Sequence, residues 1–373
     1  MSAAVNFAPE SVDLEAFLKD LLALGEELRA SLGEEDLAHL KKIERWGRTA
    51  TAVGAMTAWV APNPLSVVAL SLGRSTRWVL MHHVGHRGYD RVPNTPKRLT
   101  SHGFARGARR FIDWLDWMEP EGWKYEHNVL HHSHSSEDAD PDLVERNTEW
   151  VRQQPKPVRY ALLAVLAATW RASYYAQNTA RALRTRNQAL RPDEKQMPEL
   201  LQLVLENWGP YFLVQLVLFP ALFLPLGPWA AFSAACNTWA AEVLTNLHTF
   251  AVIGPNHAGD DLFRFVDAPK NKAERYFRQV VCSVNFKTGG DLNDWLHLFL
   301  NYQIEHHLWP DAPMRSYQWL QPRVKALCEK HGVPYVQQSV WKRIGKLTDI
   351  FVGNTRMQVM TRPAPQRPVM AAP

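Results

Sequence analysis

The chain has 373 residues, enough for one large domain or two small ones, and its 42 Lys and Arg nearly cancel 37 Asp and Glu to leave a net charge of +5. With a sequence pI near 9.0, that balance suits an anionic membrane surface; no nucleic-acid motif accompanies it, so no nucleic-acid partner is expected. The three cysteines, Cys236, Cys282 and Cys328, stand alone without C-x-x-C spacing, which excludes a thiolate zinc or iron–sulfur site.

In chain order, Met1–Glu10 lacks the basic start and apolar run of a secretion signal. Residues 11–46 carry Leu14, Leu18, Leu21, Leu22 and Leu28 on one face, with Gly33 between two amphipathic helices. From Thr49 to Leu72 the chain is apolar except at Ala61-Pro62-Asn63-Pro64, so two helices meeting at a proline turn are expected, the second from about Leu65 to His82. Residues 87–127 are basic and aromatic and read as a cytoplasmic surface segment. Tyr211–Leu226 is an apolar run with Gln215 as its one polar side chain, and a second apolar helix follows Gly227-Pro228, from Trp229 to Ile253. At 1.5 Å per residue about 20 residues cross a bilayer core, so a crossing begun at Trp229 ends near His248. Residues 157–190 are predicted to lie at the interface or on the cytosolic cap, because a crossing there would strand five arginines on the far side.

The expected fold is an all-α membrane protein of about four transmembrane helices capped by a cytosolic helical domain. Its expected parts are an N-terminal helical unit (1–48), a membrane domain (49–325), C-terminal cytosolic helices (326–361) and a disordered Pro/Ala-rich tail (362–373). The mean hydropathy of −0.29 conceals this, because apolar runs alternate with charged ones, while 15 Trp fit membrane interfaces.

Three histidine clusters carry the chemistry. His82 and His86 stand at i and i+4, as do His127 and His131 with His132 beside them; Gln303, His306 and His307 stand at i, i+3 and i+4. One helical turn lets a pair of neutral imidazoles share an ion, and seven clustered imidazoles exceed one ion's needs, so two metals are the economical reading. The all-nitrogen set disfavours structural zinc. Glu242 is an intramembrane acid, a partner either for a ligating imidazole or for a bundle hydrogen bond. Capping or solvation is the expected role of Asp291 and Asp294, and His83, His102, His134 and His297 are not expected to bind metal.

The pattern H-x-x-x-H, H-x-x-x-H-H, Q-x-x-H-H resembles the three histidine boxes of membrane fatty-acid desaturases. His131-His132 followed by Asp138-Ala139-Asp140-Pro141-Asp142-Leu143 is similar to that family's second box region. The stretch from Asn301 to Pro310 is very close to the third box of front-end desaturases. The resemblance covers roughly residues 50–325. It implies that His82, His86, His127, His131, His132, His306 and His307 bind two iron ions, with dioxygen as co-substrate, and that Gln303 is a weak ligand or hydrogen-bond partner. It also implies a further histidine from the fourth transmembrane helix, for which His248 is expected ahead of His257.

That resemblance implies a fatty acyl desaturase in the bacterial inner membrane or endoplasmic reticulum, its site facing the cytosol and its substrate a lipid acyl chain. A related di-iron hydroxylase, epoxidase or decarboxylase, and a non-catalytic metal-binding or transport protein, stay open as alternatives. With no His-Pro-Gly-Gly haem segment, Gly-rich nucleotide loop or cysteine cluster, electrons are expected from a separate ferredoxin or cytochrome.

Overall fold

The computed structural model describes residues 12–193 and 196–360; the segments expected to lack a signal and to form the tail lie outside them. The chain is mostly helical. Helix α1 (Leu14–Ser31) starts where Asp13 accepts from the Ala16 N–H, and α2 (Glu34–Ala58) where Asp36 reaches back to the Gly33 N–H. Helix α2 runs unbroken through the boundary expected at residue 48. After the proline turn, Asn63 caps α3 (Pro64–Gly85), with Pro64 at the position where its missing N–H costs nothing.

Helices α2 and α3 form a hairpin drawn together by small residues. A Cβ at Gly47 would stand 2.5 Å from the Thr76 Cβ, and one at Gly54 2.8 Å from the Leu70 nitrogen. Helix α4 (Pro120–Tyr125) continues into a π-helical turn, Glu126–His131. Helix α5 (Lys156–Trp170) passes through a second π turn, Arg171–Tyr175, into α6 (Ala176–Leu190). Helix α5 packs on α8 (Pro228–Ile253), which also packs on α3. Before α8 comes α7 (Glu199–Leu226), which among the described residues is the one helix long and apolar enough to cross a membrane.

Four crossings were expected, and α3 and α8 fall short of that composition. The cause in α8 is visible: Ser233, Asn237, Thr238, Glu242, Thr245, Asn246 and Thr249 are buried, while Trp229, Phe232, Trp239, Val243 and Leu247 face outward. The basic segment 87–127 also differs from a surface strip, since Trp114, Trp117 and Trp123 are buried.

The cap is built from α9 (Lys272–Val281), α10 (Asp291–Leu296), α11 (Gln303–Leu308), α12 (Met314–His331) and α13 (Val340–Val352). Helix α12 runs through the boundary expected at residue 325. Helix α1 docks on α9 and α12 through Phe17, Leu21, Leu24 and Leu28, so the N-terminal unit shares the cap's core. A short parallel pair, β1 (Phe263–Phe265) and β2 (Gln358–Met360), closes it.

Candidate metal centre

The end of α3, the first π turn and α11 converge. Donor atoms of His82, His86, His127 and His306 all lie within 4.8 Å of one another, as do those of His131, His257 and His307. Nε2 of His82 stands 3.0 Å from Nε2 of His306. His132 lies between the groups, its ring centroid 4.5 Å from that of His86 and 4.3 Å from that of His307.

The i,i+4 expectation for the second cluster fails in an instructive way. His127 joins the first group and His131 the second, although their rings stack at 5.1 Å. They sit in the π turn, where the wider winding removes the register that would aim both at one ion. On α11 the adjacent His306 and His307, about 100° apart around the helix, likewise serve different groups.

Hydrogen bonds fix several rings with one nitrogen inward. His131 Nδ1–H donates to Asp140 Oδ1 at 2.9 Å, and Asp140 also accepts from the Ser136 and Asp142 N–H groups. Burial alone would raise the Asp140 carboxyl, but His131 and those N–H groups outweigh it and hold it below its ordinary value. His307 Nδ1–H donates to Gln279 Oε1 at 2.8 Å. The Tyr317 hydroxyl donates to the Trp309 carbonyl and so accepts from His306 Nδ1–H at 3.1 Å. His127 Nδ1 meets the Tyr175 hydroxyl at 3.2 Å. His257 Nδ1–H donates to the Cys282 carbonyl, and burial pushes this imidazole down to about 3, which keeps it neutral.

The opposite nitrogens test whether a metal fits. Nδ1 of His82 and Nε2 of His86, His127, His132 and His307 are buried without a hydrogen-bond partner among the described residues. Native proteins leave few buried polar atoms unpaired, and five unpartnered imidazole nitrogens at one locus match the donor chemistry of a borderline metal ion. Beside them lies a cavity of about 120 Å³, lined by His82, His127, His131 and His257 and by apolar residues that include Trp170, Phe250 and Phe351.

Other expected residues are placed differently. His248 lies outside both groups: its Nδ1 bonds Ser75 Oγ at 3.1 Å and its Nε2 the Leu296 carbonyl at 2.7 Å. Helix α8 runs on past it, and the 3₁₀ turn Gly254–His257 then folds His257 back toward α11. Gln303 donates to His257 Nε2 at 2.9 Å and accepts from Asn256 at 3.0 Å. Glu242 touches no imidazole. It accepts from Arg171 at 2.5 Å, Trp117 at 2.7 Å and Arg74 at 3.3 Å, and also from the Tyr211 hydroxyl. Asp291 and Asp294 bond to the cap and to α2, away from both groups. Of the histidines not expected to bind metal, His102 is exposed, His134 pairs with Glu137 and His297 with the Asn293 carbonyl. His83 is buried beside the first group but is not part of it.

Sequence reasoning passed over Glu126, whose buried carboxylate lies within 4.8 Å of His127 and Asp142 donors. Burial, then Asp142 and Asp140, raises its carboxyl well above the ordinary range. It also missed the aligning partners Asp140, Gln279, Tyr175 and Tyr317. Asp140 alone left a trace, in the string after the second cluster.

Comparison with known proteins gives this geometry a context. Over 350 residues, 90% of this chain and 78% of the relative, it is 25% identical to the NADPH-dependent stearoyl-CoA 9-desaturase of Mycobacterium tuberculosis. It is 24% identical over 254 residues to an acyl-lipid 8-desaturase of Rebecca salina, covering 62% of this chain and 51% of that one. A shorter match, 48% over 46 residues (12% of this chain, 11% of the relative), is to a delta(8)-fatty-acid desaturase of Euglena gracilis. The fatty acid desaturase family model matches residues 57–339, a span that takes in all three histidine clusters, and the chain therefore belongs to the fatty acid desaturase family.

Proposed function

We propose that the chain is an integral membrane oxidoreductase that introduces a double bond into a lipid acyl chain, using dioxygen and two iron ions held by the two histidine groups. The observation that carries this reading is the set of unpartnered imidazole nitrogens meeting beside a mostly apolar cavity. In this reading His82, His86, His127 and His306 hold one ion, His131, His257 and His307 the other, and His132 stands between them. His257 takes the role expected of His248, and Gln303 steadies it.

Bound iron supplies, with dioxygen and external electrons, an oxidising power toward unactivated C–H bonds that no side chain has. The protein's own residues orient and exclude. Asp140, Gln279 and Tyr317 fix the imidazole tautomers, which is the usual task of residues behind metal ligands. The walls formed by Trp170, Phe250 and Phe351 keep water out and hold a methylene chain against the histidines. A separate ferredoxin- or cytochrome-type protein supplies electrons, in keeping with the reductant dependence in the mycobacterial relative's name.

The membrane reading rests on the inside-out character of α7 and α8. Leu213, Val217, Leu218, Trp239 and Val243 face outward while the polar side chains of α8 turn inward. Four crossings, by α2 from Thr49, α3, α7 and α8, leave α5 and α6 at the cytosolic face with the cap. The membrane is then a bacterial inner membrane or the endoplasmic reticulum.

Lipid profiling of a host expressing the chain tests the activity. New unsaturated acyl chains, absent from a host expressing His306→Ala, are expected. Hydroxylated or shortened products without new unsaturation would contradict desaturation.

A further inference from the structure

A second cavity, of about 220 Å³, opens between α2, α3 and the segment 104–113. It lies on the face of α3 that carries Gly73, Thr76, Arg77 and Leu80, turned away from His82. Glu44, Asp113, Arg48 and Arg77 line it, and Arg98 and Arg109 reach its two carboxylates from outside the lining. Glu44 is held by both Arg98 (3.0 and 3.1 Å) and Arg48 (2.6 Å), and Asp113 is held by Arg109 (2.6 and 2.8 Å). Arg77 also lines it, partly buried, with no hydrogen-bond or ion-pair partner among the described residues. Three guanidinium groups thus share two carboxylates, and the fourth, that of Arg77, has none. A partly desolvated, unpaired charge is costly unless an anion meets it.

The surroundings narrow the anion. Leu80, Phe104 and Ile112 form the apolar wall of the cavity, and Phe111 and Ile112 are 51% and 69% exposed beside it. Arg77 precedes His82 by five residues, about 7.5 Å along the helix. If His82 marks the cytosolic rim, Arg77 stands at the depth of lipid headgroups, where long cationic side chains snorkel. Exposed Phe and Ile at that level are the anchors of an interfacial segment. No free carboxylate lines the cavity to meet a choline.

We propose that this cavity binds the phosphate of an anionic membrane phospholipid, with Arg77 and Arg48 contacting the phosphate and Ile112 and Phe104 the first acyl carbons. The site rests on the membrane reading given above, and it is separate from the histidine groups and the acyl cavity.

The test uses the iron-loaded, detergent-purified full chain, with bound lipid counted by native mass spectrometry during titration with phosphatidylglycerol or phosphatidylcholine. The wild type should retain phosphatidylglycerol at least about ten-fold more tightly, as expected for charge-assisted hydrogen bonds to phosphate. Arg77→Gln should lose that preference, and so should Arg48→Gln, whose side chain is 69% exposed and whose replacement the fold tolerates. Arg323→Gln, at an exposed pair with Glu27 on the far side of the cap, should keep it. Equal retention of both lipids by the wild type, or an unchanged preference in both Arg77→Gln and Arg48→Gln, would overturn the site. Competition by millimolar inorganic phosphate as effective as the lipid would overturn the lipid assignment. A wild type released from membranes by alkaline carbonate would sink the membrane reading itself, whereas a retained wild type without lipid preference sinks only this inference.

Discussion

Nε2 of His82 and Nε2 of His306 lie 3.0 Å apart although 224 residues separate them in the chain. The Tyr317 hydroxyl oxygen accepts a hydrogen bond from His306 Nδ1–H, so the facing nitrogen of that ring carries a lone pair. Both rings belong to the group of four donors that could hold one metal ion. His306→Ala should therefore abolish turnover and lower bound metal, while the exposed His102→Ala should leave both near wild type. Product analysis and metal content of the two variants, purified side by side, check this.

The second group turns on a different pair. His257 stands with His131 and His307, whereas His248 lies outside both groups, bonded to Ser75 and the Leu296 carbonyl. His257→Ala should lose metal and activity, and His248→Ala should retain most of both. The reverse order would restore His248 as the ligand.

Asp140 acts through His131. Asp140→Asn keeps the shape but replaces the carboxylate that accepts from Nδ1–H, and loss of such a partner typically costs about 10–100-fold in metal affinity or activity. A drop in metal affinity at preserved melting temperature is expected. An unchanged affinity would remove Asp140 from the account.

Arg171 is wholly buried between Asp116 at 2.6 Å and Glu242 at 2.5 Å. Removing one partner of a buried pair typically costs about 3–5 kcal/mol because the other charge is left unpaired. Arg171→Ala should melt far below the wild type or fail to accumulate, while Arg171→Ala with Glu242→Gln should recover part of the loss. Thermal melting in detergent measures both.

Acid should undock α2 from the cap. Burial would raise the Asp291 carboxyl, but its bonds to Lys42 and Gln318 outweigh this and bring it down to about 2. A carboxyl depressed from an unfolded value of about 3.9 stabilises above that pH and loses the contribution as pH falls toward its folded value. The melting-temperature advantage of the wild type over Asp291→Asn should therefore be full at pH 5 and shrink between pH 4 and about 2.

Much of this arrangement was legible in the sequence. Asn63-Pro64 announced the start of α3, and the spacing of three histidine strings announced the residues that converge at one locus. What stayed hidden depends on partners far apart in the chain or on departures from regular winding. The period of 3.6 residues assigned His127 and His131 to one ion, and only the π turn separates them. His248 looked better placed than His257 because the crossing ends near it and His257 lies beyond the Gly254-Pro255 break, yet the 3₁₀ turn at that break brings His257 back. Glu242 left two roles open, and the structure shows the bundle hydrogen bond, to an Arg171 that lies 71 residues earlier. Gln279 and Tyr317 left no local signature, since a side chain that aligns a ring from another helix follows no fixed spacing.

The account stands most directly on metal analysis of the purified wild-type chain after expression in iron-replete medium. About two iron ions per chain are expected, as two groups of nitrogen donors imply, falling sharply in His306→Ala and His257→Ala. Zinc or copper in place of iron, or no metal above the level of those variants, would contradict it.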